Sequence, residues 1–249
     1  MMTHPFLDHP RPIGFAHRGG ALEAEENTMA AFEHAVALGF THVETDVQAT
    51  RDNVAVIFHD DTLHRMTGHP GRVEDLTWRE LSALRTHGGQ AIPRLDDLLA
   101  AWPDLFINLE AKSDAAVEPM AHAIRRVNAL HRVCIGSFDA ARTARARRLL
   151  GPDLCWSPAH GGVAALWLDG WGLPIPRPEF PVIQVPTHHR GIPIVTARTL
   201  RAAHRRGIQV HVWTVDDATE IVRLIDLGVD GIMSDRPSLL ARILSQRRG

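Results

Sequence analysis

The sequence predicts an α/β fold, a (β/α)8 barrel with a small insertion after the second strand, and three observations predict it. Short β-branched or apolar runs alternate with longer amphipathic stretches, the pattern of a parallel sheet with crossover helices. Eight strand positions can be read along the chain, the number that closes such a barrel. The length, 249 residues, is that of one barrel. Residues 1–249 are therefore expected to form a single barrel domain, with 60–93 as an inserted subdomain.

The strands are expected near Ile13–His17, His42–Val47 together with Val54–His59, Leu105–Glu110, Arg132–Ser137, Asp153–Ser157, Val182–Val185, Ile208–Trp213 and Gly231–Ser234. Between them, apolar residues at helical spacing predict helices over Thr28–Leu38, Leu95–Ala101, Ala115–Asn128, Ala140–Leu150, Gly162–Leu168, Ala197–Arg206, Ala218–Leu227 and Ser238–Gln246. Gly39, Gly207 and Gly228 each follow the last apolar helical position, where a left-handed residue ends a helix. Asn27 is the expected N-cap of the first helix. Two regions break the rhythm. Asp60–Pro93 carries turn residues and a short helix candidate, Trp78–Arg85, and Gly161–Pro181 carries four prolines with Trp167 and Trp171. Long loops that follow barrel strands build the pocket at the rim.

Composition excludes several classes. The 45% hydrophobic and 22% charged content is ordinary for a globular protein, and a net charge of -2 offers no case for nucleic acid. No apolar run is long enough for a membrane span or a signal peptide, so a cytoplasmic protein without an integral membrane segment is expected. Cys134 and Cys155 lie in apolar strand-like runs and read as buried core thiols rather than a disulfide framework or zinc site. The 27 basic residues comprise 26 arginines and a single lysine, Lys112. A compact ammonium in a chain that otherwise uses planar guanidinium marks Lys112 for a distinct task.

Strand alternation then assembles the chemistry. In Thr41-His-Val-Glu-Thr-Asp-Val, Glu44 and Asp46 share one face while Val43, Thr45 and Val47 face the helices. In Leu105-Phe-Ile-Asn-Leu-Glu-Ala-Lys, Asn108, Glu110 and Lys112 share a face. Three carboxylates converging at one rim repel one another unless a cation intervenes. Oxygen-only ligands select a hard ion, so one Mg²⁺ or Ca²⁺ is expected, with Mn²⁺ as a further choice. His17 and His59 each end an apolar strand, which suits a base and an acid on opposite sides of a phosphorus centre. Arg18 offers a planar fork to a phosphate, and Gly19 and Gly20 let the backbone approach a ligand.

His17-Arg-Gly, Glu26-Asn-Thr, Val43-Glu-Thr-Asp46, His59-Asp-Asp-Thr, Asn108-Leu-Glu-Ala-Lys112, Trp213-Thr-Val and Ser234-Asp-Arg-Pro237 together resemble the glycerophosphodiester phosphodiesterases. The match runs from the first strand to the last helix. It implies a catalytic barrel with an insertion after the second strand, a divalent metal, and hydrolysis of small-molecule glycerophosphodiesters to sn-glycerol 3-phosphate and an alcohol. By position, Glu44, Asp46 and Glu110 look like metal ligands, His17 and His59 like the acid–base pair, and Arg18 and Lys112 like phosphate binders. The sequence departs from the family pattern at Glu25, often Pro, at Asp216, often Asn, and at Ser234, often Thr. Trp156, Gln184 and Trp213 are expected to line the alcohol side of the pocket, with Trp171 joining Trp156 and Trp213 in an apolar wall. Rival readings are a lysophospholipase D acting on acylated glycerophosphodiesters, a noncatalytic phosphate-ligand barrel, and a metal-dependent barrel that abstracts a carbon-bound proton.

Overall fold

The computed structural model describes residues 4–248. Its strands are β1 (Ile13–His17), β2 (His42–Ala49), β3 (Ala55–Ile57), β4 (Phe106–Ala111), β5 (Val133–Gly136), β6 (Cys155–Trp156), β7 (Val182–Val185), β8 (His188–His189), β9 (Ile192–Pro193), β10 (Gln209–Val212) and β11 (Gly231–Ser234). Eight of them form a parallel path in the order β6-β5-β4-β2-β1-β11-β10-β7, a nearly closed (β/α)8 barrel. Across the β6–β7 seam the Gln184 amide donates to Ser157 Oγ at 3.0 Å, a side chain standing in for a ladder acceptor.

The helices are α1 (Met29–Ala37), α2 (His64–Thr67), α3 (Trp78–Leu81), α4 (Leu95–Ala101), α5 (Val117–Arg126), α6 (Ala140–Leu150), α7 (His160–Asp169), α8 (Ala197–Arg205), α9 (Ala218–Leu227) and α10 (Pro237–Arg248). Gly39, Gly207 and Gly228 all take left-handed backbone just past a helix, as expected. The N-cap of α1 is Thr28 rather than Asn27, because Thr28 Oγ1 accepts the Ala31 amide. The expected Trp78–Arg85 helix stops at Leu81: a capping box between Thr77 and Glu80 opens it, and a tight turn follows. Gly161–Pro181 is not all loop, since α7 fills its first half.

Val54–His59 accompanies β2 as an antiparallel hairpin arm and is no barrel strand. Val47 pairs with Ile57, and the Phe58 amide donates to the Asp46 carbonyl at 3.1 Å. The hairpin therefore turns back toward the rim and delivers His59 beside Asp46. Residues 60–93 cover this hairpin with a small core of their own, in which Leu63, Val73, Leu81 and Ile92 pack on Val56 and Phe58. The segment is tied down by Glu25, which accepts from the Thr86 hydroxyl and the Gly88 amide. The residue that departs from the family pattern thus anchors the insertion.

The opposite end of the barrel is sealed by Phe6, Phe15, Phe106, His42 and His211. The His42 and Phe106 rings stack with centroids 4.9 Å apart. His42 Nε2 donates to the Phe6 carbonyl at 3.0 Å, and His211 Nε2 to Gln209 Oε1 at 3.0 Å. A Cβ on Gly231 would meet the His211 ring at 2.7 Å, which is why the strand carries glycine there. Burial disfavours the imidazolium and lowers both His42 and His211 to about 3.

A ring held neutral in the fold contributes stability that is present above pH 6.5 and lost as pH falls toward 3. The wild type should therefore lose about 2 kcal/mol more unfolding free energy between neutral pH and pH 5 than a His211→Gln variant does. Urea denaturation at the two pH values reads the difference, and equal losses would contradict the assignment.

Candidate active site

The ladder between β2 and β4 sets the site. Glu44 pairs with Asn108 and Asp46 with Glu110, while His17 pairs with Glu44 across β1 and β2. Alternation then sends all these side chains to the C-terminal rim, and Val43 and Val47 into the core between barrel and helices. Oxygens of Glu44, Asp46 and Glu110 lie within 4.8 Å of one another. Lys112 Nζ stands 3.2 Å from both Asp46 and Glu110, and Arg18 Nε 3.1 Å from Asp46. The sequence-predicted carboxylates, the lone lysine and Arg18 thus share one cluster.

Burial, then the neighbouring Asp46 charge, raises Glu44 to about 7. Burial also raises Glu110, against the pull of Lys112. Burial would raise Asp46 too, but Lys112 and Arg18 outweigh it and hold this carboxyl below its ordinary range. Lys112 is thus shared between Asp46 and Glu110, and His17 Nε2 lies 3.6 Å from Glu44, yet burial still raises the Glu44 and Glu110 carboxyls. An all-oxygen donor set of three clustered carboxylates fits a hard divalent cation.

Both strand-end histidines line the rim, and each has its Nδ1 held by a carboxylate. His17 Nδ1 is 2.7 Å from Asp235 Oδ1, and His59 Nδ1 is 2.6 Å from Asp60 Oδ1. This orientation turns the other ring nitrogen of His17 toward Glu44, with Nε2 3.6 Å from Oε2. Burial opposes the charged form of His17, but Glu44 and Asp235 raise it to about 9. Burial resists ionisation of Asp60, yet hydrogen bonds from Arg65 and His59 lower it to about 2. Arg65 bridges Asp60 and Glu26 at 2.6 Å each, fastening the first turn of the insertion to the loop before α1.

Asp235, Asp60, Glu26 and Asn27 carry the site without having been assigned to it from sequence. The signal for Asp60 and Asp235 was their place within the His59-Asp-Asp-Thr and Ser234-Asp-Arg-Pro237 motifs. Asp235 is itself positioned by Asp216, whose Oδ1 accepts from Ser234 Oγ at 2.9 Å and from the Asp235 amide at 2.7 Å. The two departures at Asp216 and Ser234 thus bond to each other and support the partner of His17. Asn27 is buried and left-handed; its amide donates to Asp46 at 2.9 Å and its carbonyl accepts from Thr45 at 2.8 Å. Arg18, Gly19 and Gly20 are also left-handed, and this turn aims the Arg18 amide at Glu44 at 3.2 Å.

A cavity of about 630 Å³ opens from this cluster. Gln184 and Trp213 line it, as do Asn108, Phe138, His160, Val163, Trp167, His189, Ile192 and Ile194. Trp156 does not: its ring lies against Phe180, with the Arg147 guanidinium 3.9 Å above it, on the helix side of β6. Trp171 is also outside the cavity, under Arg198 at 4.1 Å. Alternation along so short a strand as β6 could not be read from sequence. Cys134 and Cys155 are free and buried, as expected of core thiols.

Fold and rim together define a (β/α)8 barrel with a mixed acidic and basic mouth. Residues 17–161 and 162–239 match the model of the glycerophosphoryl diester phosphodiesterase family, and the chain belongs to that family. It is 40% identical over 255 residues to a Mycobacterium tuberculosis protein named "Probable glycerophosphodiester phosphodiesterase 2", covering 98% of this chain and 95% of the relative. A human lysophospholipase D is 27% identical over 289 residues, covering 98% of this chain and 91% of its own. The fold matches that of an Oleispira antarctica phosphodiesterase solved in complex with its product sn-glycerol-3-phosphate, with a TM-score of 0.77, 21% identity and coverage of 94% and 97% of the two chains.

Asn27 offers a test of the local geometry. Asn27→Ala should cost about 3 kcal/mol, from the lost charge-assisted bond and the left-handed backbone, and Asn27→Gly should recover about 1 kcal/mol of it. Equal stability of the two variants in urea would remove the backbone contribution.

Proposed function

We propose that the enzyme hydrolyses glycerophosphodiesters to sn-glycerol 3-phosphate and an alcohol. The observation that carries this reading is the pair of carboxylate-oriented histidines set on the rim with Glu44, Asp46, Glu110, Arg18 and Lys112. Arg18 and Lys112 bind the phosphate, one as a planar fork and the other as a point charge. One of His17 and His59 takes a proton from the attacking water; the other gives a proton to the departing alcohol oxygen as its bond to phosphorus breaks. Asp235 and Asp60 hold the two rings in the orientation this requires.

Glu44, Asp46 and Glu110 are the residues that would hold the divalent ion, Mg²⁺ or Ca²⁺. When bound, it would act as a Lewis acid on the phosphoryl oxygens and neutralise the carboxylates. The Oleispira antarctica complex supports a product of the same class. A second reading, turnover of acylated glycerophosphodiesters, is favoured by the aliphatic and aromatic side of the cavity, where Val163, Trp167, Ile192, Ile194 and Trp213 face the space beyond the phosphate cluster. Preferential turnover of lysolipids over glycerophosphocholine would mark that reading.

His17→Ala and His59→Ala should each lower kcat by at least about a hundredfold, as removal of an acid or base does, without changing the melting temperature by more than a few degrees. Near-normal turnover in either variant would remove that histidine from the chemistry.

A further inference from the structure

Of the exposed large apolar side chains among the described residues, all but Leu22 fall in one part of the chain: Phe138, Leu168, Trp171, Leu173 and Ile192. Contacts join them at the mouth of the cavity. Trp167 lines the cavity, packs on Trp171 with centroids 5.7 Å apart, and donates from its indole Nε1 to the Pro193 carbonyl at 3.1 Å. That bond fixes the C-terminal part of α7 against the β8–β9 hairpin, whose Ile192 is 51% exposed. The Leu173 amide folds back onto the Leu168 carbonyl at 3.2 Å, so Leu173 stays with the end of α7. On the other side His189 meets His160, and His160 meets Phe138, at 5.5 and 5.6 Å. Aromatic and aliphatic side chains, with His160 and His189 between them, therefore lead from the cavity wall onto the exterior.

Arginine side chains flank the α7–hairpin side of this surface, and the exposed Asp139 follows Phe138 on the other. Arg190 and Arg198 take part in no ion pair among the described residues, whereas Asp169 is paired with Arg205 and Arg206, and Glu220, which faces His188, with Arg223. Arg190 sits at the hairpin turn beside Ile192, and the Arg198 guanidinium lies 4.1 Å over the ring of Trp171, which is 58% exposed. Tryptophan and arginine placed together beside exposed aliphatic side chains match the boundary between hydrocarbon and anionic headgroups. A protein partner would instead require shape and acid–base complementarity around the patch, and the two free arginines on the α7–hairpin side argue for an anionic surface.

We propose that the rim formed by the C-terminal end of α7, residues 170–173 and the β8–β9 hairpin is a docking surface for an anionic phospholipid bilayer. Trp171, Leu173 and Ile192 enter the headgroup boundary, Arg190 and Arg198 contact lipid phosphates, and the cavity mouth then opens onto the membrane. Binding of this kind is peripheral, and it is consistent with the absence, among the described residues, of any helix long and apolar enough to cross a membrane.

The experiment is vesicle sedimentation with the full chain, using phosphatidylcholine vesicles with and without phosphatidylglycerol. It reads no catalysis, so it stays decisive even if the hydrolytic reading fails. The protein should partition onto the mixed vesicles and be released by high salt. Trp171→Glu and Leu173→Glu should each reduce partitioning at least about tenfold, and Arg190→Asn about fivefold, with unchanged melting temperatures. Absence of partitioning onto mixed vesicles, or partitioning insensitive to all three substitutions, would overturn the proposal. So would a concentration-dependent dimer that the same substitutions dissolve, because the face would then serve a second copy of the chain.

Discussion

Everything at the rim depends on how the buried charge of Asp46 is compensated. The residue is almost fully enclosed, and an enclosed carboxylate without partners would take up a proton. Lys112, Arg18 and the Asn27 amide surround it at 3.2, 3.1 and 2.9 Å, and together they keep it ionised. Those partners come from the residue after β4, from the turn after β1 and from the loop before α1. Satisfying one carboxylate therefore fixes three segments, and the same three segments carry Glu110, His17 and Glu26. The barrel register supplies the approximate positions, and the electrostatics of Asp46 sharpens them.

A second consequence is an uneven distribution of charge. Lys112 and Arg18 hold Asp46 ionised, whereas burial pushes the carboxyls of Glu44 and Glu110 upward in spite of Lys112 and His17. Positive and negative groups are thus concentrated in the same few residues, although the net charge of the chain is only -2. Local arrangement decides the field here, and total charge does not.

The parts legible in the sequence were those written in short periods. Alternation along β2 and β4 placed Glu44, Asp46, Glu110 and Lys112 on one face, and helix-ending glycines placed the crossovers. What stayed hidden depended on contacts between distant segments. Asn27 has the composition of a helix cap, but its side chain is drawn instead to Asp46 and Thr45 on β2. His59 follows an apolar run that pairs antiparallel with β2, so its place on the rim comes from a hairpin and not from a barrel strand. Trp156 lies on a strand of two residues, too short for a period to tell its faces apart. The roles of Asp235, Asp216 and Ser234 needed the closure of the barrel to bring the last strand beside the first.

The most direct measurement follows glycerol 3-phosphate release from glycerophosphocholine by the wild type and a Glu44→Gln variant, after exhaustive chelation and after return of Mg²⁺ or Ca²⁺. Chelation should abolish release, and either ion should restore it in the wild type but not in the variant. Full release in the presence of chelator, or release of free glycerol with phosphocholine in place of glycerol 3-phosphate, would contradict the account.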